Sequence, residues 1–264
     1  MKKWFFIFIA ICTISLLASC HKEDSPAATN FDGNIKIRMS ETVDSTKRVL
    51  TLTCFTEKIY GCSNLSIQTS HTITSGKITI NFIKIAESYI CLTSLGPAYT
   101  IINFDKIPIG VYELELNFGN SKVAGQLNVS TGSFVASVPV QTKVQFINPD
   151  LKRVPDNTIF GTVHYHAAGT ATLVQQFIDS LQYFGATATV YPQGDYGQFQ
   201  IEAGGSIKQT QDPGYYFTRY YIFNYTGNNN LLKNLVQRYG NNYPSELLIT
   251  LNSTRGQVFY SWVK

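Results

Sequence analysis

The stretch Tyr112-Glu113-Leu114-Glu115-Leu116-Asn117-Phe118 places its apolar side chains at even positions and its polar ones at odd positions. Successive side chains of an extended chain point to opposite faces, so this order builds a strand with one face on a core and the other in water. Strand-like runs recur through the first half of the chain: 35–39, 48–55, 65–74, 77–85, 100–104 and 123–129. Turn formers separate them, at Thr74-Ser75-Gly76, Gly96-Pro97, Pro108-Ile109-Gly110 and Gly119-Asn120. Short strands at this spacing predict a β-sandwich over residues 34–140. The charged fraction of 14% is low and the aromatic fraction of 13% high, which suits a β-rich chain whose solvent faces use Thr, Ser, Asn and Gln.

Within that region, Ile107-Pro108-Ile109-Gly110-Val111-Tyr112-Glu113-Leu114 followed by Gly125-Gln126-Leu127-Asn128-Val129 resembles the immunoglobulin-like modules of secreted and surface bacterial proteins. The resemblance implies an Ig-like β-sandwich that serves as a spacer or binding platform, with Tyr112 placed as in a tyrosine corner. The antibody-type Cys-Trp-Cys arrangement is absent, since no tryptophan lies between residues 5 and 261. From Ser137 to Pro155, three prolines, Pro139, Pro149 and Pro155, surround one short apolar segment, Val144-Gln145-Phe146-Ile147, and residues 141–156 read as a connector with one edge strand.

Residues 157–264 show an internal duplication. Ile159 to Tyr165 leads to an amphipathic helix from about Thr170 to Phe184 and then a hairpin carrying Gly197-Gln198-Phe199. Tyr220 to Tyr225 leads likewise to a helix from about Asn229 to Tyr239 and a hairpin carrying Gly256-Gln257-Val258. Leu173, Phe177, Leu181 and Phe184 in the first helix, and Leu231, Leu232, Leu235, Val236 and Tyr239 in the second, each form one apolar stripe. Gly185 and Gly240 stand where left-handed C-terminal caps belong. Two helices with one apolar face each cover one side of a sheet. The expected fold class is therefore all-β plus α+β: an Ig-like β-sandwich followed by a two-layer α+β sandwich of two β-α-β-β repeats.

The second sheet face then needs a cover of its own. In the run from Tyr215 to Phe223, Tyr215, Phe217, Tyr221 and Phe223 alternate with Tyr216, Tyr220 and Ile222, so both faces are aromatic. One set faces the helices. The other meets the first domain, a second copy, or a ligand, and Tyr215, Tyr216, Phe217, Arg219, Tyr220 and Tyr221 are the candidate ligand-binding residues, with sugar rings as the natural stacking partner.

Location is written in the first 24 residues. Lys2 and Lys3 precede an apolar run from Trp4 to Leu17, shorter than the roughly 20 residues of a membrane-spanning helix, and the run closes on Leu17-Ala18-Ser19-Cys20. These four residues resemble the lipobox of bacterial lipoproteins. His21-Lys22-Glu23-Asp24 resembles the acidic export signal of lipoproteins of the Bacteroidota. The resemblance implies a signal peptide at 1–19, lipidation of Cys20, a lipidated linker over 20–33 and an outer-membrane, cell-surface address. Lys2 and Lys3 leave with the leader, so the formal charge falls from +4 to +2. No clustered basic stripe is present, which argues against nucleic acid as a partner.

Of the five cysteines, Cys54, Cys62 and Cys91 remain in the folded body. Cys62 and Cys91 flank turns and form the expected disulfide; Cys54 shares a strand face with Leu50 and Leu52 and reads as a buried thiol. Catalytic signals are sparse. His164 and His166 share one strand face, and Asp195, Glu202 and Asp212 are the only acids offered as a third ligand, without motif spacing. Gly204-Gly205-Ser206 and Thr131-Gly132-Ser133 lack the Gly-x-Ser-x-Gly frame, and neither a P-loop nor a dinucleotide fingerprint occurs. The expectation is a non-enzymatic binding or accessory lipoprotein for glycan, peptide or a partner protein, needing no cofactor or metal. A structural component of the envelope is the alternative, and a metal-dependent hydrolase using His164 and His166 an outsider.

Overall fold

A computed structural model describes residues 28–29, 33–43, 46–86, 89–118, 121–140 and 142–262. The leader, Cys20 and the Gly119-Asn120 turn lie outside the described residues. The structure is mostly β-sheet, with two α-helices among the described residues.

The first body contains β1 (Ala28–Thr29), β2 (Ile35–Val43), β3 (Arg48–Tyr60), β4 (Ser66–Thr74), β5 (Lys77–Ala86), β6 (Gly96–Asp105), β7 (Gly110–Phe118), β8 (Ser121–Val129), β9 (Ser133–Ser137), β10 (Val144–Phe146) and β11 (Asp150–Lys152). These strands form one hydrogen-bonded path, β10-β2-β3-β6-β4-β5-β7-β8-β9-β11, with β1 added beside β5. The path is pinched between β6 and β4, where Ser66 and Tyr99 make the one pair in register. Inward residues from both sides of the pinch, such as Ile37, Leu52 and Phe104 on one and Ile80, Leu116 and Leu127 on the other, belong to a single core. Period-two alternation is what fills it: in β7, Tyr112, Leu114, Leu116 and Phe118 are all buried. On the solvent face Glu115 accepts from Lys77 at 2.8 Å and pairs with Lys122. Those partners, Lys122 first, then Lys77 and Asn117, hold its carboxyl down to about 2.

The segment read as a connector is part of this body. It carries two strands rather than one: β10 pairs parallel to β2 at the sheet edge and β11 pairs antiparallel to β9, and Val144, Phe146 and Leu151 join the core. Between them Asn148 continues the edge of β2 with its side chain, donating to Met39 O at 2.8 Å and accepting from Met39 N at 2.7 Å. The prolines mark turns, but the apolar residues among them bury because two sheet edges stand open beside them.

Strand directions give the body two poles. Ala28 pairs with Ala86, Ala86 with Ser66 and Ser66 with Tyr99, so the N-terminal chain enters at the pole where β5 ends and β4 and β6 begin. The disulfide between Cys62 and Cys91 lies at the same end, beside the Tyr60–Gly96 pair. The chain leaves the body after Lys152, at the opposite pole, where Arg153 N donates to Gly132 O at 2.9 Å. There the buried carboxylate of Glu41 accepts from Arg48 at 3.0 Å and from Arg153 at 2.9 Å, while Arg48 also donates to Val154 O at 2.8 Å and pairs with Asp156.

The second body contains β12 (Thr158–Tyr165), α1 (Ala171–Tyr183), β13 (Gly194–Asp195), β14 (Gln200–Ile201), β15 (Phe217–Asn224), α2 (Asn229–Asn242), β16 (Leu247–Ser253) and β17 (Gln257–Tyr260). An antiparallel sheet runs in the order β15-β12-β16-β17. Its odd-numbered residues, among them Ile159, Val163, Tyr221, Phe223, Ile249 and Leu251, pack with Val174, Phe177 and Leu181 of α1 and Leu232, Leu235 and Val236 of α2. The second unit, β15-α2-β16-β17, keeps all its strands in this sheet; the first does not. The first hairpin, β13 with β14, leaves this sheet and pairs through Asp195 with Leu151 of β11 instead. It is drawn away because Tyr191, Tyr196, Phe199 and Ile201 have apolar partners of their own in Val154, Phe160 and Ile222. The excursion thereby covers part of the even-numbered sheet face and ties the two bodies together.

The two cap glycines also part company. Gly185 has φ 97° and ends its helix as expected. Gly240 lies inside α2, which runs three residues past the expected end at Tyr239. A Cβ there would stand 2.0 Å from Ser261 O, so close approach of the C-terminal backbone, not a left-handed turn, requires the glycine.

Candidate functional site

The even face of the second sheet alternates apolar and polar residues: Phe160, Thr162 and His164 on β12, Thr218, Tyr220 and Ile222 on β15, and Thr250 and Asn252 on β16. The excursion seals the end bearing Phe160 and Ile222 and stops short of the rest. What remains is a shallow cleft of about 240 Å³ with Phe160, Phe199, Ile207 and Tyr220 as its rings and apolar walls, and Thr162, Asp212, Thr250, Asn252 and Gln198 as its polar groups.

One wall is braced from β15, an edge strand whose free backbone would otherwise be unpaired. Gln209 takes that role with its side chain, accepting from Tyr220 N at 2.8 Å and donating to Tyr220 O at 3.1 Å. The Tyr220 hydroxyl in turn donates to Asp212, and burial together with that carboxylate raises the phenol above its ordinary value. Tyr220 is therefore a neutral, fixed ring at working pH.

Beside the cleft, His164 is buried under Tyr215, ring centroids 3.9 Å apart and 12° from parallel. Nδ1 lies 3.2 Å from Thr218 Oγ1, Nε2 lies 3.2 Å from Thr162 Oγ1, and Asp212 stands 3.6 Å from the same Nε2. Burial lowers the imidazole pKa, and Asp212 offsets this only in part. Thr162 and Asp212 thus share Nε2 while the Thr218 hydroxyl meets Nδ1, and these three polar groups with the Tyr215 ring fix the orientation of the imidazole.

The expected ligand residues are split by the fold. Tyr215 is half-buried against His164, Tyr216 is 75% exposed and edge-on to His166, and Arg219 is exposed. Phe217 stacks on Tyr165 at 5.1 Å, on the helix side of the sheet edge. Tyr220 lines the cleft. Tyr221 is a correction: it is 3% exposed, touches Phe177 and donates to Thr250 O at 2.8 Å, so it belongs to the helix-facing core. Its parity with Val163 across the β12–β15 pairing, rather than its aromatic character, decides this. Phe199, Thr162, Thr250 and Asn252 went unnoticed as site residues because they come from three separate stretches of the chain; the polar pair Thr250 and Asn252 at period two in an apolar strand was the available signal.

The metal reading does not assemble either. His166 is exposed, Asp195 accepts from Gly197 N at 2.6 Å within its hairpin, and among the described residues no group of three or more His, Cys, Asp or Glu side chains is placed to hold a metal ion. Roomier clefts of about 570 Å³ and 400 Å³ lie at the junction of the bodies. Of their cations, Arg48, Lys152 and Arg153 are matched by Glu41, Asp150 and Asp156, and Lys47 by Asp105. No helix among the described residues is long and apolar enough to cross a membrane. Comparison with protein-family models, curated proteins and solved structures returns no match.

Proposed function

We propose that this chain is a non-enzymatic lipoprotein of the outer membrane, anchored through lipid on Cys20 and displayed at the cell surface, that binds glycan on the even face of its second sheet. The observation that carries the reading is the cleft itself. A sugar ring offers an apolar face to an aromatic side chain and hydroxyls to planar or hydroxyl-bearing hydrogen-bonding groups, and Phe199 and Tyr220 beside Thr162, Asp212, Thr250 and Asn252 supply that pairing. Its volume suits one ring of a chain that continues into solvent past Tyr216.

The first body would be the stalk, an Ig-like β-sandwich. Supporting this, the Tyr112 hydroxyl donates to Pro108 O four residues upstream at 2.9 Å, the bond of a tyrosine corner. The second body fits a two-layer α+β sandwich in its helix-covered half. The N-terminal chain and the second body sit at opposite poles of the stalk, as an anchored display protein needs.

A glycan array followed by calorimetry tests the reading. Binding to at least one glycan, lost in Tyr220→Ala and in Asn252→Ala while both variants keep the parent melting temperature within a few degrees, is the expected result. A silent array with one envelope protein co-purifying at high salt would replace it with the structural role.

A further inference from the structure

The loop Tyr89–Leu95 exposes an unusual set of side chains: Tyr89 is 90% exposed, Ile90 68%, Leu92 57% and Leu95 81%. The sequence from 88 to 104 contains no charged residue. Such a loop would ordinarily be mobile, yet this one is built. Cys91 is joined to Cys62, Asn64 donates to Ile90 O at 2.6 Å and accepts from Leu92 N at 3.1 Å, and Leu92 O accepts from Ser63 N at 3.2 Å and Ser94 N at 2.7 Å. Ile90 O, Leu92 N and Leu92 O are thus paired, mainly by the facing Ser63-Asn64 segment, while the apolar side chains are exposed. That combination suits a low-dielectric neighbour, where an unpaired backbone group finds no water to bond.

We propose that this loop is a membrane-contact surface, with Tyr89, Ile90, Leu92 and Leu95 seated at headgroup depth in the bilayer that carries the lipid on Cys20. The assignment rests on the lipid-anchor reading. The occupant follows from chain length and register: Ala28 pairs with Ala86, the last residue of β5, and the loop lies just beyond Ala86 at the same pole. Seven residues lie between Cys20 and Ala28, so the two are at most about 29 Å apart when the chain is fully extended. A body held that close to the surface meets it with this pole. Tyrosine and aliphatic side chains without charge are the composition that partitions there. Contact at the loop and the acyl group together would hold the stalk upright, which a single point of attachment does not.

The test uses the mature lipidated protein, from which Trp4 has left with the leader, in phosphatidylethanolamine–phosphatidylglycerol vesicles and in a Trp262→Phe background, so that an introduced tryptophan reports alone. Tyr89→Trp and Leu95→Trp should shift to the blue on reconstitution and lose most of their emission to lipids brominated on the acyl chain. Tyr183→Trp, on α1 of the distal body, should do neither. Emission from positions 89 and 95 that stays red and unquenched, in protein that floats with the vesicles and carries labelled palmitate, overturns the membrane contact and leaves the anchor standing. Failure to incorporate palmitate or to float overturns the anchor and this assignment with it. A blue shift that grows with protein concentration in detergent-free solution without vesicles assigns the loop to a second copy instead.

Discussion

The imidazole of His164 lies face to face with the ring of Tyr215, 3.9 Å between centroids, and this lid keeps the histidine from water. Burial sets its pKa below the ordinary 6.5, with Asp212 pulling the other way. A histidine depressed in the folded state contributes stability above its unfolded pKa and loses it as the pH falls through the folded value. The second body should therefore melt earlier under mild acid. Tyr215→Ala should raise the His164 pKa toward 6.5 and flatten that loss, whereas Asp212→Asn should lower it further and steepen the loss. Titration of the His164 ring protons by NMR, with melts at neutral and acid pH, checks both signs.

Glu41 has a fully buried side chain and two guanidinium partners, Arg48 and Arg153. Glu41→Ala leaves Arg153 without an anion and Arg48 with only the exposed Asp156, a loss of about 3–5 kcal/mol. Chemical denaturation should show it, and because Arg48 also holds Val154 O, limited proteolysis should cut near residue 154 in the variant before the parent.

Gly161 faces the helices at the centre of the second sheet, and a Cβ there would fall 1.9 Å from Thr250 O and 2.7 Å from the Tyr221 hydroxyl. Backbone cannot yield as a flexible side chain would. Gly161→Ala should cost about 3 kcal/mol or more and prise β16 from β12, whereas Gly204→Ala, with open space around it, should be neutral; thermal melts of the two compare them directly.

Cys62 and Cys91 close a loop with a sequence separation of 29. Replacing both by Ser should lower stability by about 3–4 kcal/mol on chain-entropy grounds. Cys54 is different in kind: burial pushes its thiol up to about 12, so it has almost no thiolate at neutral pH. Iodoacetamide should leave Cys54 unmodified in the native protein and label it fully after denaturation, a difference that mass spectrometry reads.

What was legible in advance depended on how local the cause was. Alternation in Tyr112 to Phe118 places each side chain within one strand, and the stripes at Phe177 and Leu235 do the same for a helix; these readings needed only the period of the backbone. The burial of Val144, Phe146 and Leu151 was hidden because it depends on two sheet edges lying open beside a proline-rich segment. The same holds for the cleft. Thr162, Phe199, Tyr220 and Asn252 come from four separate stretches, and only the pairing of β12 with β15 and β16 sets them on one face.

The sequence by itself determined the strand-rich character, the positions of both helices and the separation of Cys54 from its two neighbours, because periodicity and turn chemistry act over a few residues at a time. Tertiary structure alone decided which aromatic residues meet water. Tyr220 and Tyr221 are adjacent and chemically identical, yet one lines a cleft and the other fills a core, since a strand turns each residue to the face opposite its neighbour and only packing chooses which face the helices take.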